Sequence, residues 1–342
     1  MTVLSRMSLF SQVFIRNSSR IPKLCIQRQP VRSFRTKRGK DTKVETETTK
    51  PDPYEVELYE ATSQPRDPGI LGKYVTYTAV AIPAFFTGCA IWQYETVRKV
   101  VKNPHSHMRK QGKQYGIRDQ LNEIWNQIPP ARKLVVEIVA ANVAIFMLWK
   151  VPRLYPVMSR YFLCMPTRAH SVLASTLSAF SHTAGFHVFA NMYVLWSFSA
   201  PLCSTLGKEQ FLAVYLAGGT AAGLTSSVYR VMSGKMIPSL GASGAILSLI
   251  AIVCLQFPDA RISIAFVDQI IPHSFSAKSA IIGLIILDCV GIARGWRFLD
   301  HAGHLGGVLF GLFYHKYGKH LIWENYKHAL LKKYHSFRNK GK

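Results

Sequence analysis

Cysteine is scarce in this sequence of 342 residues, and no two of its six cysteines form a CxxC pair. Several lie inside apolar runs, where cysteine behaves as a small hydrophobic side chain. We therefore expect neither a disulfide framework nor a metal site, and the sequence indicates no cofactor. The six positions are Cys25, Cys89, Cys164, Cys203, Cys254 and Cys289.

Acidic residues are also few, because 18 Asp and Glu stand against 42 Lys and Arg, which gives a net charge of +24. The excess basic charge lies mainly in the N-terminal third and the C-terminal tail, whereas long apolar runs begin at Tyr74. A nucleic-acid-binding domain would carry its basic patch on a folded polar face. The segregation seen here indicates a membrane protein with basic flanks and no nucleic-acid partner.

Residues 1–40 contain no acidic residue, and their arginines are interspersed with serines and apolar side chains. This composition is typical of a mitochondrial transit peptide. A secretory signal is disfavoured because no apolar segment leads to a small-residue cleavage site, and a disordered basic tail is the alternative. Residues 41–73 turn acidic and contain proline, so we interpret them as a disordered linker.

Seven apolar runs follow, and a helix needs about 20 residues to cross the hydrocarbon layer. They predict an all-α polytopic membrane protein in which one separate helix precedes a bundle of six. The last two runs are short and polar, so we expect both inside the bundle. The runs are Tyr74–Tyr94, Leu134–Trp149, Thr183–Leu202, Phe211–Val228, Leu240–Phe257, Ile281–Ile292 and His301–Tyr314.

The predicted organisation places the extra transmembrane helix at 74–94, a basic connector at 95–133, the six-helix core at 134–320 and a basic tail at 321–342. Polar residues inside apolar spans are costly and should face the bundle interior or a wet cavity. These residues are Glu137, His187, Asn191, Ser243, Asp288 and His304. Glycines at spacing four, such as Gly219 and Gly223, predict close helix packing.

Ser243 lies in the string Gly-Ala-Ser-Gly-Ala at the start of an apolar run. The flanking Gly241 and Gly244 remove bulk, which lets another helix or a substrate carbonyl approach the hydroxyl. Small residues in membrane helices most often serve packing alone. The string by itself is therefore weak evidence for a nucleophile, and it lacks the strand–turn–helix context of a soluble nucleophile elbow.

His304 shares a helix face with Gly307 and Gly311, at spacings of three and seven. That face carries no bulk besides the imidazole, so a neighbouring helix can pack directly onto it. If the neighbour is the Ser243 helix, the imidazole comes within hydrogen-bond reach of a hydroxyl that needs a base. A metal pair formed by His301 and His304 is the alternative, but we find no third ligand at suitable spacing.

His187 and Asn191 are one turn apart and project from one helix face. Such side chains can donate hydrogen bonds to the oxyanion of a tetrahedral intermediate. Structural hydrogen bonding is the default interpretation for an isolated pair of this kind. His182 lies off that face, and we expect it in a loop or at a helix start.

Together, the strings FSHxxxxHxxxNM, GASGA and DHAGHLGG resemble the rhomboid intramembrane serine proteases. The extra span and the transit peptide are similar to the mitochondrial, presenilin-associated rhomboid-like branch. The resemblance covers about residues 135–320. It implies a Ser243–His304 dyad, an oxyanion site formed by His187, Asn191 and the Ser243 backbone N–H, and a multi-pass location in the mitochondrial inner membrane.

Two departures concern the support of the dyad. Many bacterial relatives carry an aromatic residue one turn after the serine, where this chain has Leu247. They also carry a Trp-Arg pair in the first core loop, which is missing from residues 150–168. Asp288 is open to two interpretations, a third catalytic member or a structural partner of a buried donor, and a dyad family favours the second.

The resemblance implies that the chain cleaves transmembrane segments of single-pass mitochondrial inner-membrane proteins, with membrane lipid as its other partner. The alternative is a catalytically inactive rhomboid-like scaffold that binds membrane helices. A transporter with a proton path through the buried polar residues is a third class. It predicts internal repeats among the spans, and the sequence shows none by eye.

Overall fold

A computed structural model describes residues 69–102, 116–167, 171–263 and 274–340. The predicted transit peptide and nearly all of the predicted linker lie outside these ranges, and both stay predictions. The described residues are almost entirely helical, and two short strands pair antiparallel, Arg261 with Ser276 and Ile262 with Phe275.

Ten α-helices occur in the described residues, joined by short 3₁₀ turns and one π-helical segment. The helices are α1 Ile70–Lys102, α2 Ile117–Gln127, α3 Pro130–Leu148, α4 Tyr155–Phe162, α5 Ala174–Leu177, α6 Gly185–Ser233, α7 Ser243–Gln256, α8 Ala277–Arg294, α9 His301–Phe313 and α10 Lys327–Lys340. The 3₁₀ turns are Pro152–Leu154 and Ser178–Phe180, the π segment is Tyr314–Tyr326, and the strands are β1 Arg261–Ile262 and β2 Phe275–Ser276.

Within the described ranges, two helices, α1 and α6, are long and apolar enough to cross a membrane by themselves. The 49 residues of α6 are interrupted at Gly207, whose φ of 71° and ψ of 168° are not helical. Predicted runs three and four therefore occupy two consecutive segments of α6. A third span is possible if α3 and the segment Pro152–Phe162, bent by 101°, count as one. The architecture is the all-α polytopic membrane fold that the sequence predicts.

The helix α7 forms the centre of the bundle, because nearly all of its side chains are buried against α6 and α9. Glycines make these contacts possible. A Cβ at Gly307 would overlap the carbonyl oxygen of Gly244, and one at Gly311 would overlap the carbonyl oxygen of Ser248. On α6, a Cβ at Gly223 would collide with the backbone of Ser175. The predicted close packing is thus confirmed.

The two short runs differ in their burial. Helix α9 lies inside the bundle, as predicted. The prediction was wrong for α8, which buries only Ala277, Ile281, Asp288 and Gly291 and exposes an apolar face. Ile286 is 57% exposed, and its neighbours on that face are aliphatic, so the helix can face lipid although it is short.

Glu137 is a second correction, because it is exposed and does not face the bundle interior. It lies in the second turn of α3, close in sequence to Arg132 and Lys133. A carboxylate this near a helix end can reach the headgroup layer, which removes the desolvation cost on which the prediction depended.

The C-terminal end is helical where the structure describes it, and it packs along α1. Phe86 stacks on Tyr314 with ring centroids 5.2 Å apart, and Trp323 contacts the same Phe86 ring edge-on. Further along, Arg338 forms an ion pair with Glu95. The extra N-terminal helix is thereby joined to the helix that continues from α9.

Replacing Gly307 with alanine should force α7 and α9 apart, because the new methyl group meets backbone atoms that cannot rotate away. We expect a loss of about 1–3 kcal/mol in stability, measured as a lower thermal unfolding midpoint in detergent. Gly283→Ala is the matched control, since a Cβ there meets nothing within 4 Å. Equal midpoints for the two variants would contradict the close-packing argument.

Candidate active site

Ser243 is the first residue of α7, and the preceding segment is held in place by backbone hydrogen bonds. Ser239 pairs with Cys164 in an isolated antiparallel bridge, and the Gly241 N–H donates to the Ser178 carbonyl over 2.9 Å. Gly241 has a φ of 133°, which L-side chains rarely adopt. The loop therefore delivers the Ser243 hydroxyl to the N-terminal end of a buried helix.

His304 lies in the first turn of α9, and its Nε2 is 2.8 Å from the Ser243 Oγ. The glycine face of α9 brings the two helices close enough for this hydrogen bond. Both predicted residues are therefore placed together, in the geometry that a nucleophile and its base require. The His304 side chain is 13% exposed. The Ser243–His304 pair is therefore largely shielded from bulk solvent but still accessible to water.

Asp288 and His301 form a buried pair beside this hydrogen bond. The Asp288 Oδ1 lies 2.8 Å from the His301 Nδ1 and 3.4 Å from the His304 Nδ1, and both Asp288 and His301 side chains are 2% exposed. Asp288 thus has the buried partner that the structural interpretation expects, and it also faces the catalytic candidate. The three ligand atoms lie within 4.8 Å of one another. The argument that the histidines lack a third ligand was therefore wrong, and the absence of a metal stays a prediction.

His187 lies against the loop that precedes the serine. A Cβ on Gly241 would come within 2.8 Å of the His187 Cε1, so glycine is needed there for space as well as for backbone conformation. Asn191, one turn later, donates from Nδ2 to the His187 carbonyl over 2.9 Å. His187 and Asn191 thus share one face of α6. The His187 ring lies next to the loop before Ser243, and the Asn191 amide is hydrogen-bonded within its own helix.

His182 has a role that the sequence did not reveal. It precedes α6, as expected, but it is fully buried, and its Nε2 accepts a hydrogen bond from the Ala242 N–H over 3.3 Å. Burial, reinforced by the nearby His187, lowers the pKa of His182 to about 3. The ring is therefore neutral at physiological pH and able to accept, which fixes the residue directly before Ser243.

Asp300 joins the two segments that carry Ser243 and His304, and sequence reasoning missed it. Its Oδ2 accepts from the hydroxyls of Ser226 and Ser239 and from the Arg230 guanidinium at 3.2 Å. Its Oδ1 caps α9 by accepting from the Gly303 N–H at 3.1 Å. Burial acts to raise the pKa of Asp300, but Arg230 and the hydrogen-bond donors outweigh it and hold the pKa at about 2.

Comparison with known proteins identifies the family of this chain. A rhomboid-domain profile matches residues 169–319, a range that contains Ser243, His304 and Asp288. The human mitochondrial presenilin-associated rhomboid-like protein is 43% identical over 270 residues, covering 75% of this chain and 70% of its own length. The chain belongs to the rhomboid family. The mouse protein of the same name is 42% identical over the same shares of both chains.

More distant relatives place this rhomboid protein in the same organelle. Rhomboid protein 1 of yeast mitochondria is 31% identical over 200 residues, covering 56% of this chain and 57% of its own. The mitochondrial relatives and the apolar helices together show a multi-pass mitochondrial membrane protein. The family consists generally of intramembrane serine proteases, and the site has the residue types that such chemistry uses.

Asp300→Asn should destabilise the fold by about 3–5 kcal/mol, because it leaves the buried Arg230 charge without its carboxylate. The pKa of Asp300 falls from 3.8 to about 2 on folding. Its ionised form therefore stabilises the folded state fully above pH 3.8, and this contribution is lost as the pH falls through about 2.

Unfolding in denaturant, followed at several pH values, should show the gap between wild type and Asp300→Asn closing in acid. Ser239→Ala is the control, because it removes one donor to Asp300 and keeps the charge. A gap independent of pH would mean that ionised Asp300 does not stabilise the folded state.

Proposed function

We propose that this rhomboid protein is an intramembrane serine endopeptidase, with Ser243 as the nucleophile and His304 as the general base. The observation that carries the proposal is the 2.8 Å separation between the His304 Nε2 and the Ser243 Oγ. A serine hydroxyl is a weak nucleophile until a neighbouring base takes its proton. Membership of a family of proteases supports the same assignment.

The proposed reaction is acyl transfer in two steps. The Ser243 Oγ attacks the scissile carbonyl while His304 Nε2 takes its proton, and the same proton then passes to the leaving amine as the peptide C–N bond breaks. Water, deprotonated by His304, attacks the resulting ester and releases the new carboxylate and free Ser243. The partial exposure of His304 is compatible with this need for water.

Donors for the developing oxyanion are available at the start of α7. The first N–H groups of a helix have no intrahelical partner and carry a partial positive charge. The backbone N–H of Ser243 is one of these groups, and the His187 ring lies beside the loop that leads to it. We assign the oxyanion site to this N–H, to His187 and to the second N–H of the Asn191 amide.

Asp288 is proposed as a positioning residue. Its carboxylate is bonded to His301 and lies 3.4 Å from the His304 Nδ1, on the side of the imidazole away from Ser243. A negative charge there favours a proton on Nδ1, which leaves Nε2 free to accept the serine proton. It also stabilises the imidazolium that forms during the attack. Asp288 thereby orients the His304 ring. In many bacterial relatives an aromatic residue supports that ring, whereas this chain has Leu247 at the corresponding position.

The proposed substrates are transmembrane segments of single-pass proteins of the mitochondrial inner membrane. A helical segment hides its carbonyls in hydrogen bonds, so the substrate must unwind locally before Ser243 can attack. Helix-destabilising residues at the cleavage point should therefore favour the reaction.

The direct test is cleavage of a single-span substrate by the purified full chain in liposomes. Ser243→Ala should abolish cleavage, because it removes the hydroxyl that forms the ester. Ser248→Ala is the matched control, since it makes the same change five residues later on α7, where the hydroxyl donates a hydrogen bond to the Ala245 carbonyl.

Two outcomes would overturn the protease proposal. Equal cleavage by wild type and Ser243→Ala would point to a contaminating protease. No cleavage by a folded wild type, combined with retained binding of the substrate helix, would favour the inactive scaffold.

Asp288→Asn should lower kcat by about 10²–10⁴-fold and leave KM nearly unchanged, because Asp288 lies behind the histidine and touches no substrate. Asp288→Glu keeps the charge and should restore part of the rate. Unfolding midpoints measured on the same samples separate this effect from a loss of fold. A variant with full kcat would return Asp288 to a structural role alone.

A further inference from the structure

Helix α2 lies at the end of the bundle away from Ser243. The opposite end of α3 is marked by Trp149, whose Nε1 donates to the Ser181 hydroxyl next to His182. Nineteen residues of α3 separate that end from Pro130, a rise of about 27 Å. Because α2 ends at Gln127, it directly precedes the start of this membrane helix.

Helix α2 exposes large apolar side chains along one of its faces. None of its residues is buried by the described part of the chain. Three of its large apolar side chains are strongly exposed, Ile117 at 77%, Leu121 at 61% and Ile124 at 60%. Positions i, i+4 and i+7 share one face of a helix. Asp119 and Glu123, on the other face, are only partly exposed.

Tryptophans paired with cations mark the same end of the bundle. Lys133 lies over the Trp125 ring at 5.5 Å and Arg132 over the Trp196 ring at 5.8 Å. A third pair joins Lys208, next to the Gly207 break, to Trp92 of α1 at 4.9 Å. All three rings are between 36% and 47% exposed. Half-exposed tryptophans are typical of the membrane–water interface.

The charge at this end is basic. Lys99 and Lys102 lie in the last turn of α1, and Arg132 and Lys133 lie in the first turn of α3. Lysine and arginine side chains near a bilayer surface attract anionic lipid headgroups. An apolar helix face flanked by such cations fits a bilayer surface better than a protein surface, because headgroup phosphates and acyl chains meet both requirements at once.

We propose that α2 is an interfacial helix of this membrane protein. Its Ile117, Leu121 and Ile124 face lies among the upper acyl chains, and the neighbouring lysines and arginines bind the phosphates of anionic phospholipids. The proposal concerns the end of the bundle opposite Ser243 and is independent of any protease activity. It assigns a lipid-binding role to the described part of the basic connector, which takes no part in the candidate active site.

The test uses the full chain in liposomes, with an environment-sensitive fluorophore on a single cysteine. Leu121→Cys places the probe on the apolar face, and Asn126→Cys, on the opposite face of the same helix, is the matched control. Both are made with Cys25→Ser, Cys203→Ser and Cys289→Ser, because the remaining native cysteines are buried. We expect a blue-shifted probe at 121 that is quenched by lipid-borne nitroxide, and a probe at 126 that is quenched from water.

Vesicles of phosphatidylcholine alone and with phosphatidylglycerol test the choice of lipid. Lipid-borne quenching at 121 should rise with phosphatidylglycerol, and Arg132→Gln with Lys133→Gln should remove that rise. A probe at 121 that is reached by aqueous quencher would overturn the proposal, since α2 would then be solvated. Protection from both quenchers would also overturn it, because another protein surface or a second copy of the chain would be covering the face.

Discussion

Contact between the backbones of α7 and α9 determines the distance between the two reactive side chains. Gly307 lies against the Gly244 carbonyl and Gly311 against that of Ser248, with no room for a methyl group at either place. Lipid tails are as apolar as the side chains, so the hydrophobic effect does not drive two helices together within a membrane. Helices there associate through close van der Waals packing of this kind. Ser243 and His304 both lie at the starts of these two helices, and the 2.8 Å hydrogen bond is therefore a consequence of how the helices pack.

Buried polar groups provide the second level of support. Asp300 binds the start of α9 to α6 and to the segment before Ser243, and His182 holds the backbone one residue before the serine. Each of these contacts joins segments that are more than fifty residues apart in sequence. Removing one partner leaves a desolvated group behind, which costs more than the hydrogen bond itself contributed. Such contacts fix the position of one helix along another. Packing of glycine faces alone would leave the helices free to slide along each other.

The proximity of Ser243 and His304 was predictable because the glycine face beside His304 has a helical period, and that period is visible in the sequence. The partners of Asp288 and Asp300 were not, since they lie on other helices and no local pattern encodes the pairing. The predicted burial of α8 was wrong, because it was inferred from the short length of the helix. Its outer face is aliphatic and can therefore contact lipid. The same local reasoning placed Glu137 in the interior, although its side chain is exposed near the start of α3.

The pairing of α1 with α10 has a consequence for the order of assembly. Glu95 pairs with Arg338, 243 residues later in the chain. Tyr94 forms a hydrogen bond with His335, 241 residues later, with 2.6 Å between the phenol oxygen and Nδ1. The chain contains α1 long before α10, so the contacts of Tyr94 and Glu95 with α10 form only after the helices between them have been synthesised. Contacts between such distant segments form late, because the intervening chain must be ordered first. The α1–α10 contact therefore depends on all the helices between them, and a chain cut before α10 lacks it.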